Sequence, residues 1–248
     1  MRDVLRAYCA RLFGNVFFIV GNVLAFMITF FVTLKGRGEI PLHSINSDFD
    51  CAMLASLGIP AFFSLFTAIF LGSEYSGGAI RNKLICGRTR KQIYIASYIT
   101  MAMAVTIMTA VWALAAVIAA KELPSSGYVM VCIVKVLFYN LANIAFLVLV
   151  SLNVANGGWV TVIEFMSFQA GTTAVFFMQA LMCYVSGAVC SIIRYCINMI
   201  PYGQWLSLSV LAEENIMLST PAQLIISVTV MAVMSVAGMI MLEKKDIR

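Results

Sequence analysis

Residues 94–119 read YIASYITMAMAVTIMTAVWALAAVIA, and this stretch decides which solvent the protein folds in. No charged residue interrupts it, and a helix of about 20 apolar residues already spans the roughly 30 Å hydrocarbon core of a bilayer. Working outward, similar apolar runs recur near 13–34, 53–73, 129–152, 165–189 and 223–242. Within hydrocarbon each backbone N–H and C=O must be satisfied internally, so these runs are expected as α-helices. The fold class that follows is all-α: a polytopic membrane protein of six transmembrane helices, forming a single domain over residues 1–248.

Composition agrees. Of 248 residues, 62% are hydrophobic and 11% charged, whereas soluble domains carry about a quarter charged residues. The run at 129–152 contains Lys135. Either this side chain snorkels to the headgroups or the span starts later, after a short interfacial segment.

The net charge of +5 is clustered. Arg2, Arg6 and Arg11 open the chain; Arg81, Lys83, Arg88, Arg90 and Lys91 crowd one connection; Lys244, Lys245 and Arg248 close it. The opposite side of a six-span topology carries only Lys35, Arg37, Lys121, Lys135 and Arg194. Such asymmetry predicts that both termini and the second connection are cytoplasmic, and it is topology information, not a nucleic-acid surface. The first apolar run follows a charged stretch, is as long as a full span and lacks a small-x-small site, so it is expected to remain as the first span and not to be cleaved as a leader.

Residues 2–12 place Val4, Leu5, Tyr8, Cys9 and Leu12 on one helical side and Arg2, Asp3, Arg6 and Arg11 on the other. A short interfacial helix over 1–12 is expected, or a frayed basic terminus. At the other face, residues 190–222 are half apolar, broken by Pro201 and Pro221, and carry Tyr195, Tyr202 and Trp205. They read as short re-entrant or surface-lying helices at the outer end.

Residues 72–94, GSEYSGGAIRNKLICGRTRKQIY, join the second and third spans and are too patterned for a plain turn. Ile80, Leu84 and Ile85 give an apolar edge beside the basic residues, as in a short helix lying on the membrane surface. A positive-inside anchor accounts for the charge alone. The order of residues adds more: an acid at the end of a span, small residues, a basic-apolar helix, then Gly-Arg-x-Arg entering the next span. In Glu74, Gly77, Asn82, Leu84, Gly87 and Arg90, followed by Ile93-Tyr94, this segment resembles the ABC-2 type permease family. The resemblance extends to the amphipathic start, the six spans, Ile200-Pro201 before Tyr202 and the terminal Lys-Lys-Asp. The sequence departs at Gly78, where the family often has Thr, and at Tyr98, where Lys is common.

The resemblance implies that residues 74–93 form a cytoplasmic coupling loop docking on a separate ATPase. Glu74, Tyr75, Gly77, Arg81, Asn82, Leu84, Gly87, Arg88 and Arg90 are then the coupling residues. It also implies a half-transporter in a bacterial plasma membrane, paired with a second permease copy, exporting an amphipathic peptide, drug or lipid-like substrate. ATP and Mg would be held by the partner ATPase and no cofactor by this chain. Gly72 to Gly77 has phosphate-loop glycine spacing, but Gly78 and Ala79 stand where Lys and Ser/Thr are required.

Asn15, Asn22 and Thr29 recur every seven residues in the first span, and Thr172, Gln179 and Ser186 do so in the fifth. Both stripes suit helix or dimer packing, or the wall of a substrate pathway. Glu164 is expected at the interface, at the cytoplasmic start of the fifth span, where a helix dipole favours a carboxylate; Asn140 and Asn143 are further polar candidates in the fourth.

An autonomous ion-coupled transporter or channel is the alternative function. It calls for mid-span carboxylates or inverted repeats, and neither is evident. Enzyme chemistry is disfavoured: His43 is the only histidine, seven cysteines show no Cys-x-x-Cys, and neither Glu213-Glu214 nor any Ser/Lys pattern completes a catalytic or metal site. A Cys51 disulfide to Cys190 or Cys196 is conceivable from placement near one face.

Overall fold

The computed structural model describes residues 2–39, 47–208 and 218–245. His43, Glu213, Glu214 and Arg248 lie outside the described residues, as does the side chain of Tyr75. Among the described residues the chain is all-helical: α1 (Arg2–Phe13), α2 (Val16–Glu39), α3 (Asp48–Ala55), α4 (Gly58–Ser76), α5 (Ala79–Ile85), α6 (Arg90–Ala119), α7 (Ser126–Asn153), α8 (Gly157–Met182), α9 (Ala188–Met199), α10 (Pro201–Leu208) and α11 (Thr220–Lys244). Six stretches are long and apolar enough to cross a membrane: α2, α3 with α4, α6, α7, α8 and α11.

The second span is broken, because Pro60 has no N–H for the Ser56 carbonyl and its ring crowds that carbonyl. Three aromatic donors satisfy the break. Trp112 of α6 donates its indole N–H to Ala52 O at 2.9 Å, Trp205 of α10 donates to Met53 O at 3.0 Å, and the Tyr139 hydroxyl of α7 donates to Ser56 O at 3.3 Å. Ala52 and Met53 are among the last carbonyls of α3 and share a single backbone donor, Ser56 N, at 3.2 Å each, so the indoles supply further bonds. A broken backbone at membrane depth is tolerated only when protein partners it in this way.

The cores of α4, α6 and α7 are buried, with Phe63, Phe66, Trp112 and Tyr139 almost fully enclosed. On α2, α8 and α11 apolar side chains such as Val23, Phe177 and Val236 remain exposed, as expected of surfaces that meet lipid or another membrane chain. Ile200 is extended before Pro201 and separates α9 from α10. A buried network then ties both to α11: Gln204 donates to Asn198 O, Gln223 to Asn198 Oδ1 at 3.1 Å, and Ser227 to Gln204 Oε1 at 2.6 Å.

The structure corrects several boundaries. The fifth span begins at Gly157, not 165, because Asn156 caps it by accepting from Gly158 N and Trp159 N; it ends at Met182, not 189. Ser186 is therefore off the helix, and the seven-residue stripe of α8 stops at Gln179. α7 is continuous from Ser126 with Lys135 half-buried inside it, so the later start is not adopted. The connection between α4 and α6 runs from 77 to 89, so of the residues 74–93 expected as a coupling loop, Glu74 lies in α4 and Arg90 onward in α6. The outer segment at 190–222 likewise overlaps its neighbours: α9 starts at Ala188, and α11 already begins at Thr220. Among the described residues, which include all seven cysteines, none forms a disulfide, so Cys51 is not joined to Cys190 or Cys196.

Candidate functional site

The segment between the second and third spans folds around two glycines. Gly78 (φ 69°) and Gly87 (φ 77°) are left-handed, a conformation strained for residues with a Cβ, and they set off α5 on either side. The left-handed backbone at Gly78 gives a physical reason for glycine at this departure from the resembled pattern. Thr89 then caps α6 in a reciprocal box, accepting from Gln92 N while the Gln92 side chain accepts from Thr89 N.

Glu74, 4% exposed, is the hub of this end. Its Oε2 accepts from the Tyr8 hydroxyl at 2.5 Å and from Lys83 Nζ at 2.7 Å, and its Oε1 from Arg11 Nη1 at 2.6 Å. Arg11 also donates through Nη2 to Phe70 O at 2.8 Å and Ser73 Oγ at 3.0 Å. Its guanidinium lies 4.4 Å from the Phe70 ring centroid, and Lys83 Nζ sits 3.8 Å from that of Tyr8. One carboxylate thus gathers side chains from α1, α4 and α5. Burial, with the Glu74 carboxylate second, pushes the Tyr8 hydroxyl far above its ordinary value. Burial also lowers the Lys83 ammonium, against the opposing pull of Glu74.

A second set of bonds ties in the other terminus. Arg90 Nη1 donates to the carbonyls of Leu242 at 3.2 Å, Glu243 at 2.5 Å and Lys245 at 2.6 Å, closing the orphan C-terminal end of α11. Lys91 pairs with Glu243 at 3.2 Å, Lys245 donates to Asn153 O at 2.7 Å, and Arg88 pairs with Asp3 at 2.8 Å. Both described chain ends therefore meet at the α5 end of the bundle.

The expected coupling residues divide in two. Glu74, Arg88 and Arg90 point back into the protein and hold it together, and Leu84 is half-buried beside the buried Ile80. Arg81 and Asn82 are exposed, as are the Gly77 and Gly87 turns, and with Ile85 (74% exposed) and Cys86 they form an outward face. Tyr8 and Arg11 were missed as site residues. Dividing residues 2–12 into an apolar and a charged side separates Arg11 from Tyr8, yet as i and i+3 they are neighbours on the helix surface, and a long guanidinium reaches the same carboxylate as the phenol.

The stripe of α2 lies against the chain itself. Thr29 is buried; Asn22 donates to Phe18 O at 2.8 Å; Asn15 Oδ1 accepts from Phe18 N at 3.2 Å at the helix start. On α8, Thr172 donates to Phe168 O at 2.9 Å, Gln179 is half-buried, and Ser186 is exposed beyond the helix.

Glu164 departs most from expectation. Because α8 starts earlier than the apolar run, Glu164 lies inside it and is fully buried. Ser151 of α7 donates to its Oε1 at 2.5 Å, while Oε2 has no hydrogen-bond partner. Among the described residues no group of three His, Cys, Asp or Glu side chains is placed to hold a metal. Compared with known proteins, the chain matches no family model and no curated protein.

Proposed function

We propose that this protein is the membrane-spanning subunit of an ATP-driven exporter in a bacterial plasma membrane. Two such permeases would pair with separate ATPases, which hold ATP and Mg, and move an amphipathic peptide, drug or lipid-like molecule outward. Both termini are assigned to the cytoplasm by the positive-inside rule. On this reading α1 lies in the cytoplasmic interface, α9 and α10 enter from the outer side, and lipids cover the apolar spans.

The observation that carries the reading is the construction of α5. Its outward residues are free to meet a partner, while its base is fixed to α1 and α4 through one buried carboxylate. A partner that pushes on Arg81, Asn82 and Ile85 therefore moves the second span and the N-terminal helix with it. The resemblance of residues 74–90 to the ABC-2 coupling segment supports the same assignment. A photo-cross-linking amino acid placed at Ile85 in native cells should yield an adduct containing one permease and one Walker-motif ATPase. The same label at Leu123, exposed at the opposite end, should not. Equal labelling at both positions, or none at Ile85, would refute the docking assignment.

Glu164 favours one other reading, an autonomous ion-coupled transporter. A buried intramembrane carboxyl with an unpartnered oxygen is what such a mechanism requires. Under the exporter reading, Glu164→Gln leaves ATP-dependent transport within about twofold; under the other it abolishes transport driven by an ion gradient.

A further inference from the structure

Hydrocarbon offers no hydrogen bonds, so a polar side chain exposed at mid-span calls for a partner. On α6 and α11 the exposed hydroxyls are spent on their own helix: Thr106 donates to Ala102 O at 2.7 Å and Thr229 to Ile225 O at 2.8 Å. The half-buried Asn22 of α2 does the same with Phe18 O. On α8 the pattern breaks. Gln169 and Thr173, one turn apart, are both exposed, and neither side chain makes a hydrogen bond among the described residues.

Gln169 stands at the centre of this 26-residue helix, about 18 Å along the axis from either end. Its side chain is too short to snorkel across half of a roughly 30 Å hydrocarbon core. Ala170 lies beside it on the same exposed stripe, and to either side the stripe turns large and apolar, with Met166 57% and Phe177 64% exposed. A water-filled pathway would carry polar side chains along its length, whereas this face carries them at one level. Lipid would leave the carboxamide unsatisfied. A second protein surface satisfies it, and the small Ala170 and Thr173 let a helix approach closely there.

A carboxamide is donor and acceptor at once. Two such groups facing each other across a two-fold axis satisfy one another, the Nε2 of each donating to the Oε1 of the other, so Gln169 is complementary to itself, as an isologous interface demands. We infer that α8 is the face through which two copies of this chain associate in the bilayer, with Gln169 paired to Gln169 of the partner subunit at the membrane midplane. The inference rests on the paired-permease reading above for the existence of a second copy, and adds where the two copies meet.

The test uses the full-length protein in native membranes and in proteoliposomes. A photo-cross-linking amino acid at Ala170 should give a two-chain adduct whose linked peptides both come from α8. The same label at Val23 of α2 or Val236 of α11, 56% and 50% exposed, should join lipid and not a second chain. Subunit counting by single-molecule photobleaching, across a dilution series in lipid, reads the dimer equilibrium. Gln169→Leu keeps an exposed side chain of similar size and should weaken association about tenfold, the worth of two interhelical hydrogen bonds. Ala170→Trp should weaken it further, and Val23→Trp should leave it unchanged. Two-chain adducts through Val23 or Val236 with none through Ala170 would overturn the inference and leave the paired reading standing; a chain that stays single at every dilution would overturn both. An equilibrium indifferent to Gln169→Leu would overturn the Gln169 pairing. Modification of Gln169→Cys by a membrane-impermeant maleimide, mapped to residue 169, would overturn the interface in favour of an aqueous pathway.

Discussion

Replacing Glu74 by Gln keeps the side chain's shape and removes its charge, and the structure allows the cost to be apportioned. Arg11 loses little, because its side chain is 41% exposed and it keeps Phe70 O and Ser73 Oγ as acceptors; exposed pairs are worth about 0.5 kcal/mol. Lys83 loses more, since its side chain is 24% exposed against a carboxylate that is 3% exposed. Charged hydrogen bonds of this kind contribute roughly 1.5–3 kcal/mol, and losing a fully buried pair, about 3–5 kcal/mol, is the upper bound. Tyr8 exchanges a charged acceptor for a neutral one, at about 0.5 kcal/mol. Only the Arg11 and Tyr8 losses fall between α1 and the bundle, so α1 is predicted to detach more easily by about 1 kcal/mol, roughly fivefold in the opening equilibrium, while the Lys83 loss falls between α4 and α5. Hydrogen exchange read by mass spectrometry on residues 2–13 measures this directly, with the interior of α7 as internal reference. Protection of α1 that changes less than threefold, with α7 unaltered, would refute the hub as the anchor of the N-terminal helix.

Arg90→Ala should free the last turn of α11, costing ~2 kcal/mol for its three carbonyl contacts, and carboxypeptidase should trim the C-terminus roughly thirtyfold faster. Trp112→Phe leaves one carbonyl of the α3–α4 break without its indole donor, and the loss of ~1–2 kcal/mol should lower Tm by a few degrees in detergent. Alkaline pH should loosen α1 through Tyr8. Its folded value is raised above the ordinary 10, so the neutral phenol's contribution is intact below pH 10 and declines above it by about 1.4 kcal/mol per pH unit. Lys83 acts oppositely on approach to 10.5, its folded value being lowered. Comparing Tm of the native chain with Tyr8→Phe between pH 9 and 11 isolates the phenol, and parallel curves would contradict its role.

The six apolar stretches were legible because hydrocarbon forces one structure on a long apolar run, and the starts of α6 and α11 fell within four residues of expectation. Where polar chemistry sets a boundary, reading by hydropathy failed. Asn156 starts α8 ahead of its apolar run, and that shift carries Glu164 from an expected interface into the protein. The break in the second span was equally hidden: Pro60 marked it, but Trp112, Tyr139 and Trp205, which make it tolerable, are distant in sequence. At the α5 end the pattern of residues 74–90 pointed to a built segment. It did not reveal which members face inward, because Tyr8, Arg11 and Glu243 find their partners only when four helices meet.

The central claim is that this chain works as a membrane half of an ATP-driven machine, with α5 as the coupling element. Purification of the tagged chain from its native membrane in mild detergent, with mass spectrometry and stoichiometry of everything retained, tests it most directly. The account predicts a Walker-motif ATPase at one copy per permease, lost on reversing the charge of the hub with Glu74→Arg while membrane insertion is kept. A folded chain that repeatedly emerges without any ATPase, and that moves its substrate unaided in proteoliposomes, would contradict it.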